Sequence, residues 1–140
     1  MQHQFFIKDI VRDYECDLQG IVNNAIYMHY TEHARHEFLR VNGISFSKLH
    51  DEGCDAVLAK AEVQYKSSLR SQDEYISCVS VAKDGLRYVF SHYIYRSRDK
   101  VLCVKAKMEV VCVVNGTLAQ GYPIIDEFIN KINNAPLIEI

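Results

Sequence analysis

The chain lacks a long hydrophobic run, an excess of one charge and a closely spaced cysteine pair. No apolar stretch reaches the roughly 18 residues of a membrane-spanning helix, so we expect no membrane segment. Lys and Arg number 16 against 18 Asp and Glu, and the net charge of -2 provides no general field for nucleic acid. Residues 1–6 lack the charged and apolar regions of a signal peptide, which predicts a cytoplasmic protein.

The cysteines and histidines do not form a recognisable metal motif. The five cysteines are an odd number without a Cys-x-x-Cys pair, which argues against a disulfide framework and a zinc knuckle. His29, His33 and His36 follow helical spacing and could share one face, but no His-Glu-x-x-His sequence accompanies them. We therefore predict that the protein needs no metal and no bound cofactor.

The order of predicted elements indicates one α+β domain over residues 1–140. Apolar and β-branched runs predict strands at residues 4–12, 56–66, 75–83, 86–96 and 101–114. Helical spacing and capping residues predict helices at residues 23–41, 45–52 and 124–132. The first helix is long, at about 19 residues or 28 Å, and is available to cover one face of an antiparallel sheet. The tail from residue 133 is predicted to be frayed or loosely packed.

Two of these segments have a predicted inner and outer face. Strict alternation from residue 56 predicts a half-buried strand, with these residues on one face: Val57, Ala59, Ala61, Val63 and Tyr65. On the long helix the apolar residues recur every three or four positions, and the polar residues that fall between them are Glu32, Arg35, His36 and Arg40. These four polar residues are expected on the outer face of the helix.

Residues 17–27 carry a recognisable motif at the start of the long helix. They read Asp-x-x-Gly-x-Val, with a Tyr five residues after the Val. This segment resembles the signature of the 4-hydroxybenzoyl-CoA thioesterase-type enzymes, and the order of elements matches that family over nearly the whole chain. The resemblance implies a hotdog fold, in which a curved antiparallel sheet wraps the long helix. It also implies a homodimer or homotetramer, with sheets joined edge to edge and acyl-CoA bound at the dimer interface.

The same resemblance assigns roles to individual residues. It makes Asp17 the general base or nucleophile toward a thioester, and the backbone amide of Asn24 a donor to the acyl carbonyl. Some family members carry His where this chain has Asn24. The sequence Val22-Asn23-Asn24 of this chain instead resembles the acyl carrier protein thioesterase branch of the same superfamily. The carrier is therefore either CoA or acyl carrier protein. No further cofactor is implied.

Elementary chemistry supports this assignment independently of the family. A thioester needs a base or nucleophile on one side of its carbonyl and hydrogen-bond donors to its oxygen. The first amides of a helix have no intrahelical partner and can hold an oxyanion. A carboxylate just before a helix, followed by the amides of Asn23 and Asn24, supplies both groups.

Further substrate contacts are expected around the motif and on the strands. Gly20 allows a left-handed turn that passes close to a ligand, Val22 belongs to the motif, and Tyr27 is a candidate wall of the pocket. The cations Lys66, Arg70 and Arg87 lie at strand ends or polar faces and are candidates for gripping the phosphates of CoA.

Several alternatives stay open at this point. Asp17 and Gly20 are also ordinary turn residues, and Tyr27 is equally a core residue. Glu32 is a second candidate carboxylate, because another hotdog branch places its catalytic Glu on this helix. A dehydratase or hydratase is a rival activity, although the Asp17 segment has no accompanying His. A non-catalytic hotdog module that binds acyl-CoA or a protein partner is the rival from a different class.

Overall fold

The computed structural model describes all 140 residues as an α+β domain of three helices and eight strands. The helices are α1 (Ile26–Val41), α2 (Phe46–Asp51) and α3 (Pro123–Asn133). The strands are β1 (Gln2–His3), β2 (Phe5–Ile10), β3 (Cys54–Tyr65), β4 (Glu74–Asp84), β5 (Arg87–Arg96), β6 (Leu102–Val114), β7 (Thr117–Leu118) and β8 (Ile138–Glu139).

The main sheet is antiparallel and runs in the order β2-β4-β5-β6-β3, with β7 added beside β6. β4, β5 and β6 pair consecutively, because only the short connections at residues 85–86 and 97–101 separate them. The sheet curls around α1 as a half-barrel, which is the hotdog arrangement. The predicted α+β fold with a C-terminal helix is therefore confirmed.

Helix α1 packs its apolar stripe into the sheet. Ala34 and Phe38 are completely buried, and the Phe38 ring lies 5.0 Å from Phe5 on β2 and 5.0 Å from Phe128 on α3. One aromatic residue thus joins the helix, the sheet edge and the closing helix. The helix begins at Ile26 and has 16 residues, so the predicted start at residues 23–24 was wrong. The asparagines form the turn that leads into the helix.

The prediction that β3 is half-buried was wrong. β3 forms one edge of the sheet, and Val57 and Tyr65 are 44% and 50% exposed. A register shift between Leu58 and Lys60 leaves Ala59 as a bulge and breaks the expected alternation of faces. Strand order decides which strand lies at an edge, and the alternation of a single segment does not contain that information.

The two ends of the chain pair with each other, which corrects the predicted loose tail. β8 lies antiparallel to β1, with His3 opposite Ile138. The Met1 amino group also forms an ion pair with Glu139. His3 is buried beside the rings of Tyr93 and Tyr95, at centroid distances of 5.2 and 5.9 Å. The tail therefore packs on the outer face of the sheet.

Candidate functional site

Asp17 lies in a tight turn between β2 and α1. Its N–H donates to the Ile21 carbonyl at 2.9 Å, and its carbonyl accepts the Gly20 N–H at 3.0 Å. Gly20 has a φ of +79°, a conformation that favours glycine. One carboxylate oxygen of Asp17 accepts the Gln19 N–H at 2.8 Å, and the residue is otherwise exposed. The turn thus holds the carboxylate in a defined place while leaving it accessible.

The buried carboxylate of Glu15 fixes this turn from behind. Glu15 Oε1 accepts the Arg12 N–H and the Tyr30 hydroxyl, both at 2.8 Å, and the Glu15 carbonyl accepts the Asn23 N–H at 3.0 Å. Burial first, and then the bond to Glu15, raise the pKa of Tyr30, which therefore remains a hydrogen-bond donor. The sequence interpretation missed Glu15. Two sequence features could have indicated its role: Glu15 lies two residues before Asp17, and Tyr30 lies on the apolar face predicted for the long helix.

The start of α1 presents a free backbone donor. Asn23 Oδ1 accepts the Ala25 N–H at 2.9 Å, whereas the Asn24 N–H donates to no protein atom. The Asn24 carbonyl accepts the Tyr65 hydroxyl at 3.2 Å and so ties the helix start to the end of β3. An unpaired amide at a helix start can stabilise a developing negative charge.

A small pocket of about 120 Å³ opens beside this donor. Its lining residues are Ile21, Val22, Asn24, Tyr27, Tyr65, Lys66, Ser67 and Ser68. The structure therefore brings together four of the residues chosen from the sequence, and burial raises the pKa of Tyr27 to about 12. Asp17 and Gly20 lie in the adjoining turn.

The three candidate cations divide between two regions. Lys66 lines the small pocket, and a Cβ added to Gly20 would lie 3.7 Å from Arg70 Nη1. Arg87 instead lies at the hairpin end of β5, where its Nη1 is 3.4 Å from Glu109 Oε1. Within one protomer, only Lys66 and Arg70 are close to the Asp17 turn.

The cysteine beside Asp17 and the histidines of α1 show no arrangement that would make them catalytic or metal-binding groups. Burial raises the pKa of the Cys16 thiol, which disfavours a thiolate next to Asp17. His29 and His33 are exposed, and the His36 ring packs 4.5 Å from that of Phe46. No group of three or more His, Cys, Asp or Glu residues is arranged to hold a metal ion.

A second and larger cleft, of about 310 Å³, lies between α1 and the first half of β3. It is lined by Glu32, Arg35, His36, Phe46, Asp55, Ala56, Leu58 and Val110. Arg35 was predicted on the outer face of the helix, but it is only 7% exposed and its Nη1 lies 3.4 Å from His92 Nε2. The correction follows from the width of the buried stripe, which extends beyond the strictly apolar positions of α1.

Comparison with known proteins identifies relatives over most of the chain. A family model described as thioesterase-like superfamily matches residues 11–132. A putative esterase from Aquifex aeolicus is 32% identical over 81% of this chain and 88% of its own length. The acyl-acyl carrier protein thioesterase ATL3 of Arabidopsis thaliana is 34% identical over 69% of this chain. The aligned part is 52% of that plant protein, so the chain spans about half its length.

Solved structures share the fold. A hypothetical protein from Aquifex aeolicus is 30% identical, with a TM-score of 0.83 over 89% of this chain and 98% of its own. A 1,4-dihydroxy-2-naphthoyl-CoA thioesterase from Synechocystis is 15% identical, with a TM-score of 0.87 over 94% and 98% of the two chains. These matches confirm the resemblance inferred from residues 17–27. The chain belongs to the thioesterase-like superfamily.

Proposed function

We propose that this protein hydrolyses an acyl thioester to a carboxylic acid and a thiol. The observation that carries the proposal is the unpaired N–H of Asn24, a residue that lines a pocket beside the turn with the exposed carboxylate of Asp17. A base or nucleophile and an oxyanion donor are the two groups that thioester hydrolysis requires. The thioesterase names of the matched relatives support the same reaction.

Asp17 can act in either of two ways from its position in the turn. As a general base it takes a proton from water, whose oxygen adds to the thioester carbon. As a nucleophile it forms an acyl-Asp17 anhydride, which water then hydrolyses. In both routes the carbonyl oxygen becomes an oxyanion that the Asn24 N–H stabilises. The carbon–sulfur bond then breaks, and the leaving thiolate is protonated.

The carrier of the acyl group is CoA or acyl carrier protein, both of which present a phosphate. Lys66 beside the pocket and Arg70 beside Gly20 are placed to bind such a phosphate. Arg87 is the third candidate cation, although its pairing with Glu109 weakens the case for it. Tyr27 and Val22 then form the wall along which the thioester lies.

The proposed active unit is a dimer formed along the β3 edges. β3 pairs only with β6, and its other edge carries exposed apolar side chains such as Val57 and Leu58. Antiparallel pairing of two such edges about a two-fold axis near Lys60 sets the Tyr65 end of one β3 beside the Asp55 end of the other. The small pocket of one protomer would then adjoin the large cleft of its partner. A homotetramer built from two such dimers is compatible with this arrangement.

The proposed location is the cytoplasm. No helix in the structure has the length and apolar character needed to cross a bilayer. Fractionation of cells that produce the tagged chain, with known cytosolic and membrane markers, tests the location directly. Recovery with the membrane fraction would contradict it.

A thiol-release assay tests the reaction. Wild type and Asp17→Asn are compared on acyl-CoAs from acetyl to palmitoyl and on an aromatic acyl-CoA, and then on acyl carrier protein esters. Asp84→Asn is the matched control, because Asp84 is exposed at the β4–β5 turn, away from the pocket. We expect the Asp17 variant to lose at least about 100-fold in kcat with fold and oligomeric state intact, since it loses the only proposed base or nucleophile.

Other outcomes point to other groups. Equal turnover by wild type and Asp17→Asn would move the catalytic carboxylate elsewhere, and Glu32 in the large cleft is the next candidate. No turnover of any CoA or carrier-protein ester by wild type would contradict hydrolysis and favour a binding module.

A further inference from the structure

Arg35 is a buried cation without an anionic partner. It is 7% exposed and forms no ion pair in the protein. Burial lowers the pKa of its guanidinium, although an arginine remains charged in a protein. Burying a charge is costly unless an opposite charge or a set of hydrogen bonds compensates it. Within this chain the compensation is one contact of 3.4 Å to His92.

No carboxylate pairs with Arg35 at close range, although the charge of Glu32 partly opposes the effect of burial on the pKa of Arg35. Burial, and then the charge of Arg35, lower the pKa of His92 to about 3, so that this ring is neutral and offers only a lone pair at Nε2. Glu32 lies one turn earlier on α1 but forms no ion pair with Arg35, and the Asp55 carboxylate is engaged by His50 at 2.6 Å. The buried Ser77 Oγ and His92 Nδ1 also lack partners. The polar groups beneath α1 are therefore incompletely paired.

The cleft gives Arg35 access to a ligand. Arg35 lines the large cleft. Its Nε and Nη2 atoms make no hydrogen bond in the protein, and both keep some contact with solvent. The apolar part of the cleft lining is formed by Phe46, Ala56, Leu58 and Val110, and the exposed residues Glu32, His36 and Asp55 complete it. A cleft of about 310 Å³ with this apolar lining and one buried cation can hold a hydrocarbon chain that carries an acceptor oxygen.

We infer that the large cleft binds the acyl group, and that Arg35 selects acyl groups that carry an acceptor oxygen, above all a carboxylate, beyond the thioester carbonyl. This inference rests on the proposed thioesterase function. Within one protomer Arg35 is three helical turns, roughly 16 Å, from Asn24. Pairing of the β3 edges would bring the cleft of the partner next to the Asp17 turn, which shortens the path that an acyl chain must cover.

Matched acyl-CoAs test this selectivity. Octanoyl-, 8-hydroxyoctanoyl- and suberoyl-CoA have eight carbons and end in a methyl, a hydroxyl and a carboxylate, and series of six and ten carbons vary the reach. At the best chain length, we expect wild type to prefer the carboxylate-terminated over the methyl-terminated acyl-CoA by about 10- to 100-fold in kcat/KM. This is the range of one or two charge-assisted hydrogen bonds. The kcat/KM of the hydroxyl-terminated acyl-CoA is expected to lie between these two values.

Substitution of Arg35 should abolish the preference. In Arg35→Gln we expect the ratio of kcat/KM for the carboxylate-terminated and the methyl-terminated acyl-CoA to fall to within about threefold of unity. Arg40→Gln is the control, because Arg40 lies on the same helix and pairs with Glu37 outside the cleft. If Arg35→Gln does not fold, Arg35→Lys keeps the charge without the planar fork and should reduce the preference partially.

The outcomes separate this inference from the proposed function. A ratio unchanged in Arg35→Gln would overturn the role of Arg35 while hydrolysis stands. Dissociation of the Arg35→Gln dimer, with equal loss on all esters, would mean that a carboxylate of the second copy is the partner of Arg35, which also overturns it. If wild type hydrolyses none of the esters, calorimetric titration with the same series decides. Tighter binding of the carboxylate-terminated than of the methyl-terminated acyl-CoA by wild type, but not by Arg35→Gln, supports the inference. Equal dissociation constants of the two ligands for wild type refute it.

Discussion

The bond between Tyr30 and Glu15 is predicted to position the Asp17 turn, and Tyr30→Phe tests it with the smallest possible change. The substitution removes one hydroxyl that donates at 2.8 Å to a buried carboxylate, and Glu15 Oε1 keeps only the Arg12 N–H. A hydrogen bond to a charged group contributes about 1.5–3 kcal/mol. For a chain of this length, with about 2.1 cal/mol/K of unfolding entropy per residue, the loss corresponds to a decrease of about 5–10 °C in Tm.

Tyr88→Phe is the matched control for stability. Tyr88 also donates its hydroxyl to a carboxylate, Asp126 Oδ1 at 2.6 Å, and accepts the Tyr122 N–H at 2.9 Å, but it joins β5 to α3 and does not contact the Asp17 turn. Tyr88→Phe should lose at least as much stability as Tyr30→Phe, because it removes both of these hydrogen bonds. Only Tyr30→Phe should lose activity, by at least about tenfold in kcat, because small displacements of a catalytic group are costly.

Urea denaturation and the thiol-release assay measure the two effects on the same preparations. Full turnover by Tyr30→Phe, despite its loss of stability, would refute the positioning role of Glu15. Unchanged stability of Tyr30→Phe would refute the hydrogen-bond argument itself. Equal loss of turnover in both variants would indicate general destabilisation.

Two further predictions concern acid stability and assembly. The pKa of His92 is 6.5 when unfolded and about 3 when folded, so the unfolded state binds more protons between these values and stability falls as pH decreases through them. Denaturation from pH 7 to 4 should show a loss of roughly 3 kcal/mol in unfolding free energy that His92→Gln reduces, and an equal slope in both proteins would contradict this. Val57→Lys should convert the proposed dimer to monomers in light scattering, because a lysine on an edge strand opposes strand addition, whereas Leu118→Lys should not. A dimeric Val57→Lys protein would place the interface elsewhere.

The sequence predicted the elements well wherever a regular period extends over many residues. β4, β5 and β6 and the long helix carry such patterns, and the turns between the strands carry turn residues. The start of α1 was placed two or three residues early because Asn23 caps a turn instead of the helix itself. The two-residue pairing of β1 and β8 was missed, since so short a strand has no period.

The candidate site was predicted only in part. The motif located Asp17 and Asn24, because both belong to one local segment whose turn chemistry can be read directly. Glu15 and Arg35 were not recognised because their roles depend on partners far along the chain, and a single sequence contains no pairing information. Arg35 also contradicts the rule that charged helix residues face solvent, and such exceptions are expected at functional sites.

The bulge at Ala59 has a consequence for a protomer whose β3 edge is uncovered. An open strand with exposed apolar side chains can recruit further strands and seed aggregation. The register shift twists β3 at its centre, and Lys60 and Glu62 place exposed charges just beyond it. A regular strand of another protein therefore cannot pair along the whole β3 edge. A second copy of β3 has the same bulge, so its edge can match. The irregularity thus opposes uncontrolled growth at this edge, while an identical edge in the proposed dimer can still match it.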